Sequence, residues 1–210
     1  MDIKSLNNLL GNIDIYLLDQ ILKGRFHQEM NILDAGCGEG RNSIYFLNGG
    51  YRIFGIDSDL SAIQMARVYA KTIDKSYDTL RFQKASVQDI PFHYAAFDAV
   101  ISSAVLHFAK STEDFEKMWA EMLRVLKPGG TFFLRTCTDR DNILANSPSL
   151  GHGVYLLPDG SERFVFTEEL EKQLVQKYGL EYLEPPKSVL VHGQRSMGVF
   201  VFRKNLFNHL

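Results

Sequence analysis

The stretch Asn31-Ile-Leu-Asp-Ala-Gly-Cys-Gly-Glu-Gly40 decides the fold. Its first five residues read as a short buried strand, and glycines then follow at alternate positions. Such glycines let the backbone approach a ligand closely and adopt positive φ without a Cβ clash. A turn from strand into helix is also where open α/β sheets bind their ligands.

Upstream, Leu6, Leu9, Leu10, Ile13, Leu17, Ile21 and Leu22 recur at three- and four-residue steps. That spacing predicts one amphipathic N-terminal helix within residues 1–26, with Gly24 as its stop. Downstream, Arg41 to Leu47 is expected to be helical and to end at Asn48-Gly49-Gly50, and Tyr51 to Ile56 forms the next strand. Ser58 or Asp59 caps a helix running through Ala62, Met65, Ala66 and Tyr69. Leu80 to Lys84 and Phe97 to Ser102 are further strands. Ser111 or Thr112 opens a helix that Lys127-Pro128-Gly129-Gly130 ends, before a strand from Thr131 to Thr136. Alternating strands and helices imply right-handed crossovers and a parallel sheet covered on both faces.

The tail differs. Thr167 opens a helix ending at Gly179, and two strands, around Tyr182 and from Val199 to Phe202, follow with no helix between them. An antiparallel C-terminal hairpin closing the sheet fits that order. Residues 138–166 show little periodicity and carry Pro148, Gly151, Gly153, Pro158 and Gly160, as expected of a functional lid. The expected architecture is a single domain over residues 1–210. It is a doubly wound α/β fold with a mostly parallel seven-stranded sheet, an N-terminal helix and a lid insertion.

Composition narrows the function classes. The 210 residues are 45% apolar and 23% charged, in the range of a folded globular chain rather than a disordered one. Lys and Arg number 23 against 25 Asp and Glu, a net charge of −2, which argues against nucleic-acid or anionic-membrane partners. Cys37 and Cys137 make no disulfide framework, and no run approaches the roughly 20 apolar residues of a membrane helix. No signal peptide is recognised either, so a cytoplasmic protein is expected. The Cys and His spacings match no structural zinc pattern, and no metal is expected.

Gly55-Ile56-Asp57 ends the second strand with a carboxylate placed to accept both hydroxyls of a ribose. Two cofactor classes share that feature, nicotinamide dinucleotides and S-adenosylmethionine. The dinucleotide fingerprint wants its third glycine where this chain has Arg41. A pyrophosphate at this turn would also meet Asp34 and Glu39, like charge against like. The ammonium and sulfonium of S-adenosylmethionine suit an acidic loop, so that cofactor is preferred. An NAD(P)-dependent oxidoreductase and a non-catalytic cofactor-binding module remain the alternatives.

Several segments in order resemble the class I S-adenosylmethionine-dependent methyltransferases across residues 32–135. Asp34-Ala-Gly-Cys-Gly-Glu-Gly40 resembles the family's first motif and Gly55-Ile-Asp57 its second. Ala85-Ser-Val-Gln-Asp-Ile-Pro-Phe92 is similar to the segment after the third strand. Phe97-Asp-Ala-Val-Ile-Ser-Ser103 with Leu106-His107 resembles the fourth-strand motif, and Leu126-Lys-Pro-Gly-Gly130 the turn before the fifth strand. The resemblance implies that Asp34, Gly36, Cys37, Gly38, Gly40 and Arg41 hold the methionyl part of S-adenosylmethionine. It places Asp57 and Ser58 at the ribose, Ser86 and Val87 at the adenine, and Ser102 beside the sulfonium. Relatives commonly carry an acid at the Ser86 position, so the adenine contact here departs from the pattern.

Gly40-Arg41-Asn42 and Leu157-Pro-Asp-Gly-Ser-Glu-Arg-Phe164 resemble, more narrowly, the tellurite-resistance-type branch of small-molecule methyltransferases. The Asn/Asp-Pro-Pro-Tyr/Phe signature of nucleobase amino methylation is replaced by Ser102-Ser103-Ala104-Val105, which favours a small-molecule acceptor. His107 is the candidate base, needed only for an acceptor protonated at neutral pH. Arg135, His152, Tyr155, Arg163, His192 and Arg195 are the other polar candidates near that sheet edge. Arg163 and Arg195 are expected to bind an anionic acceptor. Met118, Trp119 and Met122 share a helix face and read as core.

Overall fold

The computed structural model describes residues 2–206. Where one N-terminal helix is expected there are two, α1 (Ile3–Leu10) and α2 (Ile15–Leu22). The apolar spacing runs through the break, but Gly11 takes φ +60 with its α-carbon facing Ile44, where a Cβ would lie 2.6 Å from Ile44 Cδ1. Asp14 then restarts the helix, its carboxylate accepting from Tyr16 N and Leu17 N.

The glycine turn is framed by β1 (Asn31–Ala35) and α3 (Ile44–Asn48), and β2 (Arg52–Asp57) runs parallel to β1. Helix α3 is shorter than its sequence suggests because residues 40–43 are still turning. Next come α4 (Leu60–Ile73), capped by Asp59, then β3 (Phe82–Lys84) and β4 (Phe97–Ser103). Helix α5 (Thr112–Val125), capped by Ser111, leads into β5 (Leu126–Cys137). Leu126 pairs with Phe97 and Thr131 with Ala99, so Lys127-Pro-Gly-Gly130 bulges out of the ladder. Lys204 Nζ donates to Leu123 O at 2.7 Å and Leu126 O at 2.9 Å, taking up carbonyls at the end of α5.

The insertion is more regular than its composition suggests. A 3₁₀ stretch, Arg140–Asn146, kinked by the left-handed Asp141 (φ +60) and Asn142 (φ +56), precedes a small antiparallel sheet of β6 (Ser149–Gly151), β7 (Val154–Leu156) and β8 (Glu162–Phe164). Strands of three residues are too short to show a period. A bridge between Thr138 and Phe166 holds the two ends of the insertion side by side.

Helix α6 (Glu168–Lys177), capped by Thr167, precedes β9 (Leu180–Tyr182), β10 (Lys187–Val191) and β11 (Arg195–Lys204). The main sheet runs β10-β11-β5-β4-β1-β2-β3, with β11 antiparallel to β5 and a short eighth strand, β9, paired beside β10 on β11. Side-chain alternation divides the core. Leu33, Val100, Phe132, Leu134, Phe200 and Phe202 meet α5 and α6 on one face. Ile32, Ile53, Ala99, Ile101, Phe133 and Val201 meet α2, α3 and α4 on the other. Trp119 is fully buried, its ring edge-on to Phe132 and Phe202.

Candidate active site

The carboxyl ends of β1, β2 and β4 converge on the glycine turn. Gly36 N and Cys37 N donate to Ile56 O at 2.8 and 2.9 Å, pinning the start of the turn to β2. Asp57 fastens the remainder, accepting from Gly38 N at 2.8 Å and Asp59 N at 2.9 Å. Gly36 has φ +80, and a Cβ there would sit 2.4 Å from Val105 Cγ2. Only glycine lets the segment after β4 approach this closely.

Asp34 lies beneath the turn at 1% exposure, with one hydrogen bond, from Ser43 Oγ at 3.4 Å. Burial pushes its carboxyl up to about 7, against the opposing pull of Arg41 and Ser43. Burial also pushes the Cys37 thiol far up, so it is held as a neutral thiol.

A cavity of about 340 Å³ opens in front of the turn. Of the residues expected to hold a cofactor, Gly36, Asp57, Ser58, Ser86 and Val87 line it. Asp34, Cys37, Gly38 and Gly40 build the turn behind it. Arg41 points elsewhere, its Nη1 3.4 Å from Asn12 O and its Nη2 3.5 Å from Ser103 Oγ. Ser102 is fully buried and its Oγ is unpaired, because alternation along β4 turns it to the α5 face while Ser103 faces α2. Ser86 Oγ, standing where relatives have an acid, accepts from Gln88 N at 3.1 Å.

Ala104, Val105, Phe108 and Met118 complete the cavity wall. Met118 was expected in the core, and it serves both, packing in the α5 cluster while showing an edge to the cavity. Ala104 holds φ +63 immediately after β4, a strained conformation at the point where the chain turns across the site.

Phe108 also lines a second cavity, of about 220 Å³, with His107, Lys110, Leu150, His152, Val154 and Glu162. His107 is 3% exposed and its Nδ1 has no partner. Burial, reinforced by the charges of Arg163, Arg195 and Arg135, holds its pKa down to about 3. At neutral pH the ring is an uncharged and very weak base. Arg163 stacks over Phe108 at 4.8 Å and donates to Glu162 O at 2.7 Å. Arg195 pairs with Asp159 and lies 3.3 Å from Ser161 Oγ. Tyr155 packs in the lid cluster of Cys137, Leu157, Val165 and Met197, while His192 lies in the turn between β10 and β11, away from both cavities.

Asp14 escaped the sequence reading. At 3% exposure, its Oδ2 accepts from Ser103 Oγ at 2.8 Å and Arg135 Nη1 at 3.0 Å, with Arg41 Nη2 3.9 Å away. Its own N–H donates to Asn42 Oδ1 at 2.9 Å. One carboxylate thus ties α2 to the glycine turn and to the ends of β4 and β5. An N-cap signal at Asp14 is visible in sequence, but partners 89 and 121 positions away are not. Among the described residues no group of three or more His, Cys, Asp or Glu gathers in a metal-holding arrangement, and no helix is long and apolar enough to cross a membrane.

The chain has relatives among known proteins. Residues 33–134 match the family described as Methyltransferase domain. The chain is 27% identical over 125 residues to a 2-heptyl-1-hydroxyquinolin-4(1H)-one methyltransferase of Mycobacteroides abscessus, covering 60% of this chain and 53% of that protein. It is 31% identical over 158 residues to a sterol 24-C-methyltransferase of Kluyveromyces lactis, covering 73% and 41%. The chain thus spans about half the length of these curated relatives. Among solved structures, a SAM-dependent methyltransferase from Methanosarcina mazei superposes with a TM-score of 0.70 at 23% identity, over 89% of this chain and 98% of that one. The 1,6-didemethyltoxoflavin-N1-methyltransferase of Burkholderia thailandensis, solved with 1,6-didemethyltoxoflavin and S-adenosylhomocysteine, gives 0.65 at 19% identity, over 90% and 76%. At such identities the structural matches establish the fold.

Proposed function

We propose that residues 33–134, which match the family described as Methyltransferase domain, form a class I S-adenosylmethionine-dependent methyltransferase domain, and that this protein transfers a methyl group from S-adenosylmethionine to a small-molecule acceptor. The observation that carries the proposal is Asp34, a buried carboxyl with one long hydrogen bond under a turn that a Cβ at Gly36 would close. That donor set fits an ammonium-bearing amino-acid tail and repels a pyrophosphate.

When bound, S-adenosylmethionine supplies a methyl carbon on a sulfonium, a bond already activated for displacement. In-line displacement by an acceptor lone pair would leave the sulfur as a neutral thioether, and an acceptor protonated at neutral pH would pass its proton to solvent. Asp34 and the turn amides hold the methionyl end, and Asp57 and Ser58 the ribose. Val87, Phe108 and Met118 supply apolar walls for the adenine, with Ser86 beside them. Such residues act by alignment and exclusion of water, which is worth about 7–11 kcal/mol in favourable cases. His107, neutral and weakly basic, is better suited to shaping the acceptor side than to taking a proton. Arg163 and Arg195 support an acceptor carrying negative charge. The modest net charge supports a reaction without nucleic acid, and two buried free cysteines support a cytoplasmic setting.

Calorimetry with S-adenosylmethionine, S-adenosylhomocysteine and NAD tests the donor. Binding of the first two without NAD is expected, whereas NAD binding with indifference to both would point to an oxidoreductase. Release of S-adenosylhomocysteine across an acceptor panel tests catalysis, and donor binding with no turnover on any acceptor would point to a cofactor-binding module.

A further inference from the structure

We propose that Asp14 is a positioning residue of the donor site: it holds the guanidinium of Arg41 away from Asp34, so that Asp34 stays free for the ammonium of S-adenosylmethionine. The inference rests on the methyltransferase reading and adds to it a residue from outside the glycine turn.

Two buried carboxyls share the end of the turn, Asp14 at 3% exposure and Asp34 at 1%. The three residues that lead into α3 are divided between them. Arg41 and Asn42 face Asp14, with Arg41 Nη2 3.9 Å from its Oδ2 and Asn42 Oδ1 accepting from its N–H at 2.9 Å. Ser43 faces Asp34, to which its Oγ donates at 3.4 Å. A single step along the chain thus separates the residues committed to one carboxyl from the residue committed to the other.

The hold on Arg41 is a set of long contacts. Its Nη1 lies 3.4 Å from Asn12 O and its Nη2 3.5 Å from Ser103 Oγ. Ser103 Oγ itself donates to Asp14 Oδ2 at 2.8 Å, so the hydroxyl links the arginine to the carboxylate. The Arg41 side chain is 42% exposed, which leaves packing little part in fixing it and makes the Asp14 charge the main guide to its direction. The other cation facing Asp14 is Arg135 of β5, whose Nη1 donates to Oδ2 at 3.0 Å. Arg41 is the looser partner of the two.

A second carboxyl lies within the field of the same guanidinium. The Arg41 charge is already felt at Asp34, where it opposes the upward push of burial. The other ionisable groups around Asp34 are Asp57 of β2, which carries like charge, and the Cys37 thiol, which stays neutral. Asp34 receives one hydrogen bond although a carboxylate has room for about four. A guanidinium turned toward it would form a charge-assisted pair on the oxygens that the donor's ammonium needs. Asp14 is the rival carboxylate that keeps the chain's own cation out of that place.

The test follows the Asp34 carboxyl by NMR titration of the unliganded full chain, its signal assigned by its loss in Asp34→Asn. Calorimetry measures S-adenosylhomocysteine, which keeps the ammonium. Asp14→Asn removes the charge and retains the helix cap, since asparagine caps as well as aspartate. Arg41 is then expected to turn to Asp34 and bring its pKa down from about 7 to about 6 or below. S-adenosylhomocysteine should bind about tenfold more weakly at pH ~8, where Asp34 of the unaltered chain is ionised and unclaimed. Adding Arg41→Gln to Asp14→Asn should return both the titration and the affinity to those of Arg41→Gln alone, because Asp14 then has no cation to hold back. If denaturant melts show Asp14→Asn unfolded, Asp14→Ser removes the same charge and also caps. An Asp34 carboxyl that still titrates near 7, or an affinity loss equally large with and without Arg41, assigns Asp14 to structure alone and overturns the proposal. Failure of the unaltered chain to bind S-adenosylhomocysteine overturns the methyltransferase reading instead, and the Asp34 titration still reports on Asp14.

Discussion

Donor binding should release a proton from Asp34. Its carboxyl is raised to about 7 by burial, so between about pH 4 and 7 the folded protein holds a proton that the unfolded chain has lost. The stabilising contribution of that retained proton is complete below the unfolded value near 3.8 and disappears as pH rises through about 7. An ammonium brought against the carboxylate lowers its pKa and expels the proton. At pH ~6 about nine-tenths of the sites are protonated, and at pH ~8 about one-tenth, so proton release should fall from about 0.9 to about 0.1 per ligand. Apparent affinity for S-adenosylhomocysteine should rise about tenfold over the same interval. Calorimetry in buffers of different ionisation enthalpy counts the protons directly. Asp34→Asn removes the titrating group and should flatten the profile, at a cost of about 1.5–3 kcal/mol in affinity for the lost charged contact. A pH slope unchanged in Asp34→Asn, or no proton release near pH ~6, would refute the reasoning.

Other consequences are as direct. Gly36→Ala places a methyl against Val105 in a left-handed backbone, so at least about 1–2 kcal/mol of stability should go, together with donor binding, as read by denaturant titration and calorimetry. The ring of His107 stays neutral down to about pH 3, whereas the unfolded chain takes up a proton near 6.5. Stability should therefore fall as pH drops from about 6.5 toward 3, by about 2–3 kcal/mol at pH ~4.5, and His107→Phe should flatten that acid limb in denaturant melts. Trp119→Ala should cost about 3–5 kcal/mol in thermal or chemical unfolding. Trp119→Phe should cost well under half as much, since it also removes an indole N–H that has no partner.

What was legible in the sequence is what is local. The turn between β1 and α3, the acid ending β2 and the caps at Asp59, Ser111 and Thr167 declare themselves within a few residues. Alternating elements indicated a mostly parallel sheet covered on both faces for the same reason. The break at Gly11 stayed hidden because apolar spacing continues across it, and the lid strands because three residues carry no period. Ser102, expected beside the sulfonium, is turned to the α5 face and fully buried, since adjacent strand residues face opposite ways and a motif does not say which face is which. The contacts of Asp14 join distant parts of the chain, and the edge Met118 shows to the cavity depends on helix rotation, so neither was readable without coordinates.

The bridge between Thr138 and Phe166 has a consequence for how selectivity can change. Both ends of the insertion leave the sheet at one point, and its exit is anchored by Phe164 and Phe166, whose rings lie 4.6 and 5.1 Å from Phe115. The segment between them behaves as a cassette clipped into a fixed socket. On the proposed methyltransferase reading, exchanging it should change which acceptor is taken while the turn that would hold the donor stays as it was.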